Sequence, residues 1–122
     1  KFKGVPAKMI AGLWNRKALR IFTIKNDAGF LSTLMVALHG ENATYLIGWS
    51  SCLGKSLQSQ SLLLWNVMIL LKNSGISFFD LGGLGTAHAK SISDFKRSYS
   101  PTEYTLVGEK KLHHMKHHLR KR

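Results

Sequence analysis

Two short stretches carry side chains whose types and spacing could do chemistry. Asp80 closes the apolar run "ISFFD" and is followed after one leucine by Gly82 and Gly83, while Phe95 and Lys96 stand side by side in "SDFKRSYSP". A carboxylate at the C-terminal end of a buried strand stands at the edge of a sheet, where ligand crevices form in α/β folds. Two glycines let the chain turn and let a ligand or another backbone come close. A lysine ammonium is a compact point charge suited to a phosphate or a developing oxyanion. A phenylalanine ring offers a face for base stacking, worth ~1–3 kcal/mol per base. Each also has a plainer reading. Asp before Gly caps turns, and Phe95 with Ile92 could form one apolar helical face, with Lys96 solvated.

The other chemical groups carry less. Cys52 is alone, so no internal disulfide forms and a reducing compartment fits. No His or acid lies near it in sequence to activate it as a nucleophile. His113, His114, His117 and His118 would make two i,i+4 pairs on a helix and could bind zinc adventitiously. No Cys or acid is nearby to complete a site, so no metal is expected and the stretch reads as a solvated basic tail.

Eighteen Lys and Arg stand against six Asp and Glu, a formal net charge of +12. Such a field attracts phosphate backbones and anionic surfaces without naming one. At 122 residues and 44% apolar the chain is long enough for one core and too apolar for wholesale disorder. The longest apolar run, Leu62 to Leu71, is interrupted by Asn66 and too short to span a bilayer. The chain starts at Lys1 without an initiator Met, so the expectation is a fragment or a cut-out domain. Residues 1–112 would form a single domain and residues 113–122 its tail.

The elements that must position Asp80, Phe95 and Lys96 follow from periodicity. Pro6 to Arg20 has a helical period, and "LRIFTIKN" is a β-rich run. "NDAG" is hairpin chemistry, "FLSTLMVALHG" the returning strand, and "ATYLIGWSS" a third strand after "HGEN". Gly48 inside that third strand marks a bulge or a close backbone approach. Gln58 to Lys72 is a helix too apolar for a narrow stripe and is therefore expected to be largely buried, with Gly75 as its C-cap. "ISFFDLGG" reads as a central strand, "SISDFKRSY" as one or two helical turns, and "TEYTLVGE" as a last strand. The sum is an α+β domain: an antiparallel meander, then a strand–helix–strand unit, in a mixed sheet with flanking helices. Trp14, Trp49 and Trp65 read most simply as core residues.

That order resembles the GNAT acyltransferase fold. More narrowly, "ATYLIGWSS", "LLLWNVMILLKNSGISFFDLGG" and "SISDFKRSYSPTEYTLVGE" resemble the C-terminal domain of the Fem family. These are the peptidoglycan interpeptide-bridge aminoacyltransferases, with BioF2-like relatives. The shared pattern is a Trp-containing helix, an aromatic-Asp-Leu-Gly-Gly strand end, a spacer, Phe-Lys and a Val-Gly strand. Two departures stand out. Fem proteins carry two such domains, and "SSCLGKSLQSQ" lacks the Arg/Gln-x-x-Gly-x-Gly/Ala loop that cradles coenzyme A in ordinary GNAT enzymes.

The resemblance implies an N-acyltransferase whose donor is an aminoacyl-tRNA and whose acceptor is an amine of a peptidoglycan precursor. No cofactor is implied. Phe95 would stack on the adenine of the tRNA 3′ end, and Lys96 would be catalytic, stabilising developing charge. The donor would insert where the strands "ATYLIGWSS" and "ISFFDLGG" splay apart, placing Asp80, Gly82, Gly83 and Trp49 among the substrate-binding residues. The compartment would be the cytoplasm, with peripheral contact at the inner face of an anionic membrane. Two alternatives stay open. One is an acyl-CoA-dependent N-acyltransferase, and the other is a basic domain that holds RNA or anionic lipid without chemistry.

Overall fold

The computed structural model describes residues 5–83 and 90–105, and the side chains of the second segment from Ser93. The histidine tail and the residues from Leu106 onward lie outside the described residues.

A helix, α1 (Ala7–Asn15), leads into a three-stranded meander of β1 (Leu19–Asn26), β2 (Gly29–His39) and β3 (Asn42–Ser50). Both connections are two-residue hairpin loops, since Asn26 pairs with Gly29 and His39 with Asn42. Loops of that length match the strand twist. In the first loop the Asn26 carboxamide oxygen accepts the Ala28 amide hydrogen at 2.9 Å. A short helix α2 (Cys52–Ser56) and a long helix α3 (Ser59–Asn73) then cross to β4 (Phe78–Asp80), which pairs parallel with β3, and α4 (Lys90–Arg97) follows. The described strands form one mixed sheet in the order β1-β2-β3-β4. No helix among the described residues is long and apolar enough to cross a membrane.

The core lies between one sheet face and α3. Leu34, Val36 and Ala43 from the sheet meet Leu63, Leu64, Val67 and Leu71 of the helix. Burying each large side chain of this set contributes about 1.5–3 kcal/mol. On β2 the alternation places Ser32 in line with Leu34 and Val36, all completely buried.

The structure corrects several expectations. Helix α3 is buried on one face only. Leu62, Trp65, Ile69 and Leu70 are all more than two-fifths exposed, because the sheet covers one side of the helix and nothing among the described residues covers the other. The three tryptophans are likewise at the surface, with Trp14 61%, Trp49 52% and Trp65 56% exposed. Strand β4 has only three residues, with Phe78 exposed, and it pairs with β3 on one side, while most of the strand expected on its other side lies outside the described residues. Residues Pro101–Thr105 are not in a strand, and the rest of the expected last strand is outside the described residues. Helix α1 stops at Asn15, followed by Lys17 with φ +57°, so the expected helix to Arg20 gives way to β1.

Candidate functional site

The site begins with a flaw in the β2–β3 ladder. Met35 pairs with Ile47 but Val36 pairs with Tyr45, leaving Leu46 as the extra residue of a β-bulge. In a regular strand residues 45 and 48 face opposite sides. The bulge brings Tyr45, Gly48 and Ser50 onto one face, opposite Val36, Leu34 and Ser32 respectively. Gly48 is needed there for space. A Cβ at this position would lie 1.8 Å from Tyr45 Oη and 2.6 Å from Gln60 Nε2. The bulge expected at Gly48 thus sits two residues earlier, and the glycine makes room for the phenol. Gly48→Ala is expected to cost about 1–3 kcal/mol by overpacking and to displace Tyr45 from Gln60. A denaturant melt and a shift of the Tyr45 ring resonances check both effects.

Next to the bulge the sheet opens. Parallel pairing of β3 with β4 covers Asn42–Phe78, Ala43–Phe79 and Thr44–Asp80 and then ends. Beyond it β3 runs on to Ser50, while the other chain turns away after Asp80. That turn is held by Asp80 Oδ1, which accepts the Gly82 amide hydrogen at 2.7 Å, and by Gly82 at φ +79°, a conformation glycine adopts without a Cβ penalty. Asp80 Oδ2 accepts a hydrogen bond from the Tyr104 hydroxyl, which raises the Tyr104 pKa above its ordinary value. Both oxygens of Asp80 therefore hold the turn and the segment after α4.

Helix α4 closes the opening. Lys96 is 8% exposed, donates from Nζ to the Gly83 carbonyl oxygen at 2.8 Å, and lies 5.6 Å from the centre of the Tyr45 ring. Burial holds its ammonium below the ordinary lysine value, and the Asp80 carboxylate pulls the other way. Phe95 packs against the core and meets Tyr99 edge-on, centroids 5.6 Å apart. The Tyr99 hydroxyl donates to the Ser61 carbonyl at 2.8 Å, fastening α4 to the first turns of α3.

The result is a cleft of about 600 Å³ between the splayed strands, whose lining includes Tyr45, Gly48, Lys55, Gln60, Phe95 and Lys96. The beginning of α3 opens into it through Gln58, Gln60 and Ser61. That helix has no side-chain cap and no acid in its first turn, so its electropositive end is unopposed. Gly82, Gly83, Phe95 and Lys96 thus meet in one cleft, with Asp80 behind the turn. Trp49 borders the cleft, but its place between Gly48 and Ser50 puts its side chain on the opposite sheet face. Tyr45, Gln60 and the serines beneath them escaped the sequence reading. Only the alternation Ser32-x-Leu34-x-Val36, a serine at a core-facing position, pointed to them.

No family model and no curated protein matches the chain. Among solved structures it is similar to an aminoglycoside acetyltransferase from an uncultured soil metagenomic sample, crystallised in complex with sisomicin. The TM-score is 0.68 at 13% identity, over 92% of this chain and 77% of that one. At that identity the likeness concerns the backbone alone, and with the mixed sheet and flanking helices it shows that the chain has a GNAT-like fold.

Proposed function

We propose that this chain is a Fem-like N-acyltransferase domain that moves an aminoacyl group from the 3′ end of a tRNA to an amine of a peptidoglycan precursor. The observation that carries the reading is the cleft where β3 and β4 part, with the Lys96 ammonium in its wall. In the reaction the amine nitrogen forms an amide bond to the carbonyl carbon, the ester bond to the ribose oxygen breaks, and the proton lost by the amine ends on that oxygen. Charge develops on the carbonyl oxygen on the way. An ammonium has three N–H donors; one of Lys96's engages Gly83, leaving two to stabilise that charge. The similar acetyltransferase, crystallised with an aminoglycoside bound, supports an amine as acceptor.

Two features favour a tRNA donor over an acyl-CoA. The net charge of +12 suits a polyanion. The stretch that would cradle a pyrophosphate is instead helix α2, and its glycine serves packing: a Cβ at Gly54 would lie 2.0 Å from the Leu31 carbonyl oxygen. The reading also places the chain in the cytoplasm, in peripheral contact with the inner face of an anionic membrane where lipid-linked precursors sit.

The test is binding of aminoacyl-tRNA and of acetyl-CoA to the whole chain. tRNA affinity is expected to fall at least about tenfold between roughly 50 and 200 mM salt. Phe95→Leu, which keeps an apolar side chain against the core but removes the ring, is expected to weaken binding at fixed salt by about 1–3 kcal/mol, the worth of a stacked base. Binding of acetyl-CoA without tRNA binding overturns the donor assignment in favour of the thioester.

A further inference from the structure

Beneath the cleft a line of polar contacts joins four elements, β2, β3, α2 and α3. Tyr45 Oη lies 3.3 Å from one terminal atom of the Gln60 carboxamide, and the other terminal atom lies 3.3 Å from Ser50 Oγ. Ser50 Oγ is 2.8 Å from Ser32 Oγ, which is 2.5 Å from Ser59 Oγ. Ser59 donates to the Gly54 carbonyl at 3.0 Å. Ser32 and Ser59 are 0% and 3% exposed, so water does not stand in for a missing partner at their contacts, while Ser50, Gln60 and Tyr45 are half-buried in the cleft wall.

Counting protons sets the direction of this line. With the Gln60 oxygen towards Ser50, four contacts (Gln60–Ser50, Ser50–Ser32, Ser32–Ser59, Ser59–Gly54) draw on three hydroxyl protons. One close pair of oxygens is then left without a hydrogen. With the amide turned over, its nitrogen donates to Ser50 and its oxygen accepts from Tyr45. Each contact now has one donor: Tyr45 to Gln60, Gln60 to Ser50, Ser50 to Ser32, Ser32 to Ser59, Ser59 to Gly54. The two ends of a carboxamide have nearly the same shape, so the hydrogen-bond count decides between them.

We propose that Tyr45 Oη is the point at which the cleft receives a primary amine, accepting its N–H, because the chain of donors below turns the phenol hydrogen inward and leaves the oxygen's lone pairs facing the cleft. The line ends on a backbone carbonyl, which does not take up a proton, so it orients the phenol and does not relay protons. Each donor polarises the next, strengthening the phenol oxygen as an acceptor. The subsite rests on the acyltransferase reading for its purpose, since an amine held there would be the acceptor substrate. Its geometry rests on the contacts alone.

Two measurements test it, neither using tRNA nor an acyl donor, so their failure is separate from that of the proposed function. The first is the titration of the Tyr45 phenol, followed by NMR of ¹³Cζ-labelled tyrosine, in the wild type and in Gln60→Leu. Lys96, 5.6 Å from the ring centre, and Tyr99 act on the phenol in both proteins. If Tyr45 donates to Gln60, removing the acceptor lowers the Tyr45 pKa. A rise means that Gln60 was the donor, which overturns the orientation. Gln60→Met gives the same comparison should the leucine variant unfold. The second is titration of the wild-type chain with glycinamide as the amine probe. The Tyr45 ring resonances are expected to move, and Tyr45→Phe to weaken the probe at least about fivefold, the loss of one hydrogen bond. Undisturbed Tyr45 resonances, or equal binding by Tyr45→Phe, overturn the subsite.

Discussion

Replacing Lys96 by methionine is expected to leave the domain folded and to lower aminoacyl transfer about 10²–10³-fold, the usual loss when one preorganised donor to a developing oxyanion is removed. Methionine fills most of the volume of the lysine stem, which packs in the cleft wall beside Tyr45, and it removes a buried ammonium. The effect on stability has a definite sign. Burial lowers the folded-state pKa of Lys96 below the ordinary lysine value of 10.5. The unfolded chain therefore binds this proton more tightly, and the folded state is penalised at neutral pH. The penalty is relieved as pH rises from the lowered folded value towards 10.5. Wild type should thus gain stability relative to Lys96→Met across that window. Transfer by the wild type should fall through the folded pKa, as the ammonium loses its proton. Lys96→Arg should not rescue, because a planar guanidinium does not fit a point-charge site beside Gly83. Thermal melts against pH and transfer rates from aminoacyl-tRNA check these outcomes. A variant that folds and transfers at the wild-type rate would remove Lys96 from the chemistry.

What the sequence showed well were features that live on one segment. The strand periods of β1 to β3, the turn residues of both hairpins, the length of α3 and the short helix holding Phe95 and Lys96 each depend on neighbours in the chain. The opening between β3 and β4 was expected from the resemblance to the GNAT fold, and the glycines after Asp80 forecast only that the chain would turn there. Features that depend on two segments were not legible. The bulge at Leu46 is a property of the β2–β3 register, and the glycine that hinted at it answers to a phenol three residues away. Helix α2, five residues capped by Ser51 Oγ accepting the Gly54 amide hydrogen at 2.9 Å, is too short to show a period. The polar line from Tyr45 to Gly54 draws on β2, β3, α2 and α3, and its serines look like ordinary surface residues until the register aligns them.

The same limit explains α3, and a pair of substitutions there measures it. Leu62, Leu63 and Leu64 are consecutive and chemically alike, yet Leu64 is 1% exposed and Leu62 is 58% exposed. Successive helical residues turn by about 100°, so the run cannot lie on one face. Leu64 packs in the cluster with Leu34, Val36 and Val67, where truncation leaves a cavity that the sheet cannot follow. Leu64→Ala is expected to destabilise the domain by about 2–5 kcal/mol, and Leu62→Ala to change stability by no more than about 0.5 kcal/mol. Urea denaturation reads both, and an unchanged m-value would show that midpoint shifts report stability alone. Since total stability of a domain is about 5–15 kcal/mol, the Leu64 loss should be visible as partial unfolding at 37 °C. Equal losses from the two changes would mean that the outer face of α3 is covered as fully as the inner one, contrary to the packing described above. A large loss from Leu62 alone would place the core on the other side of the helix and take the floor from under the cleft, because Gln60 and Ser61 are carried on the same first turn.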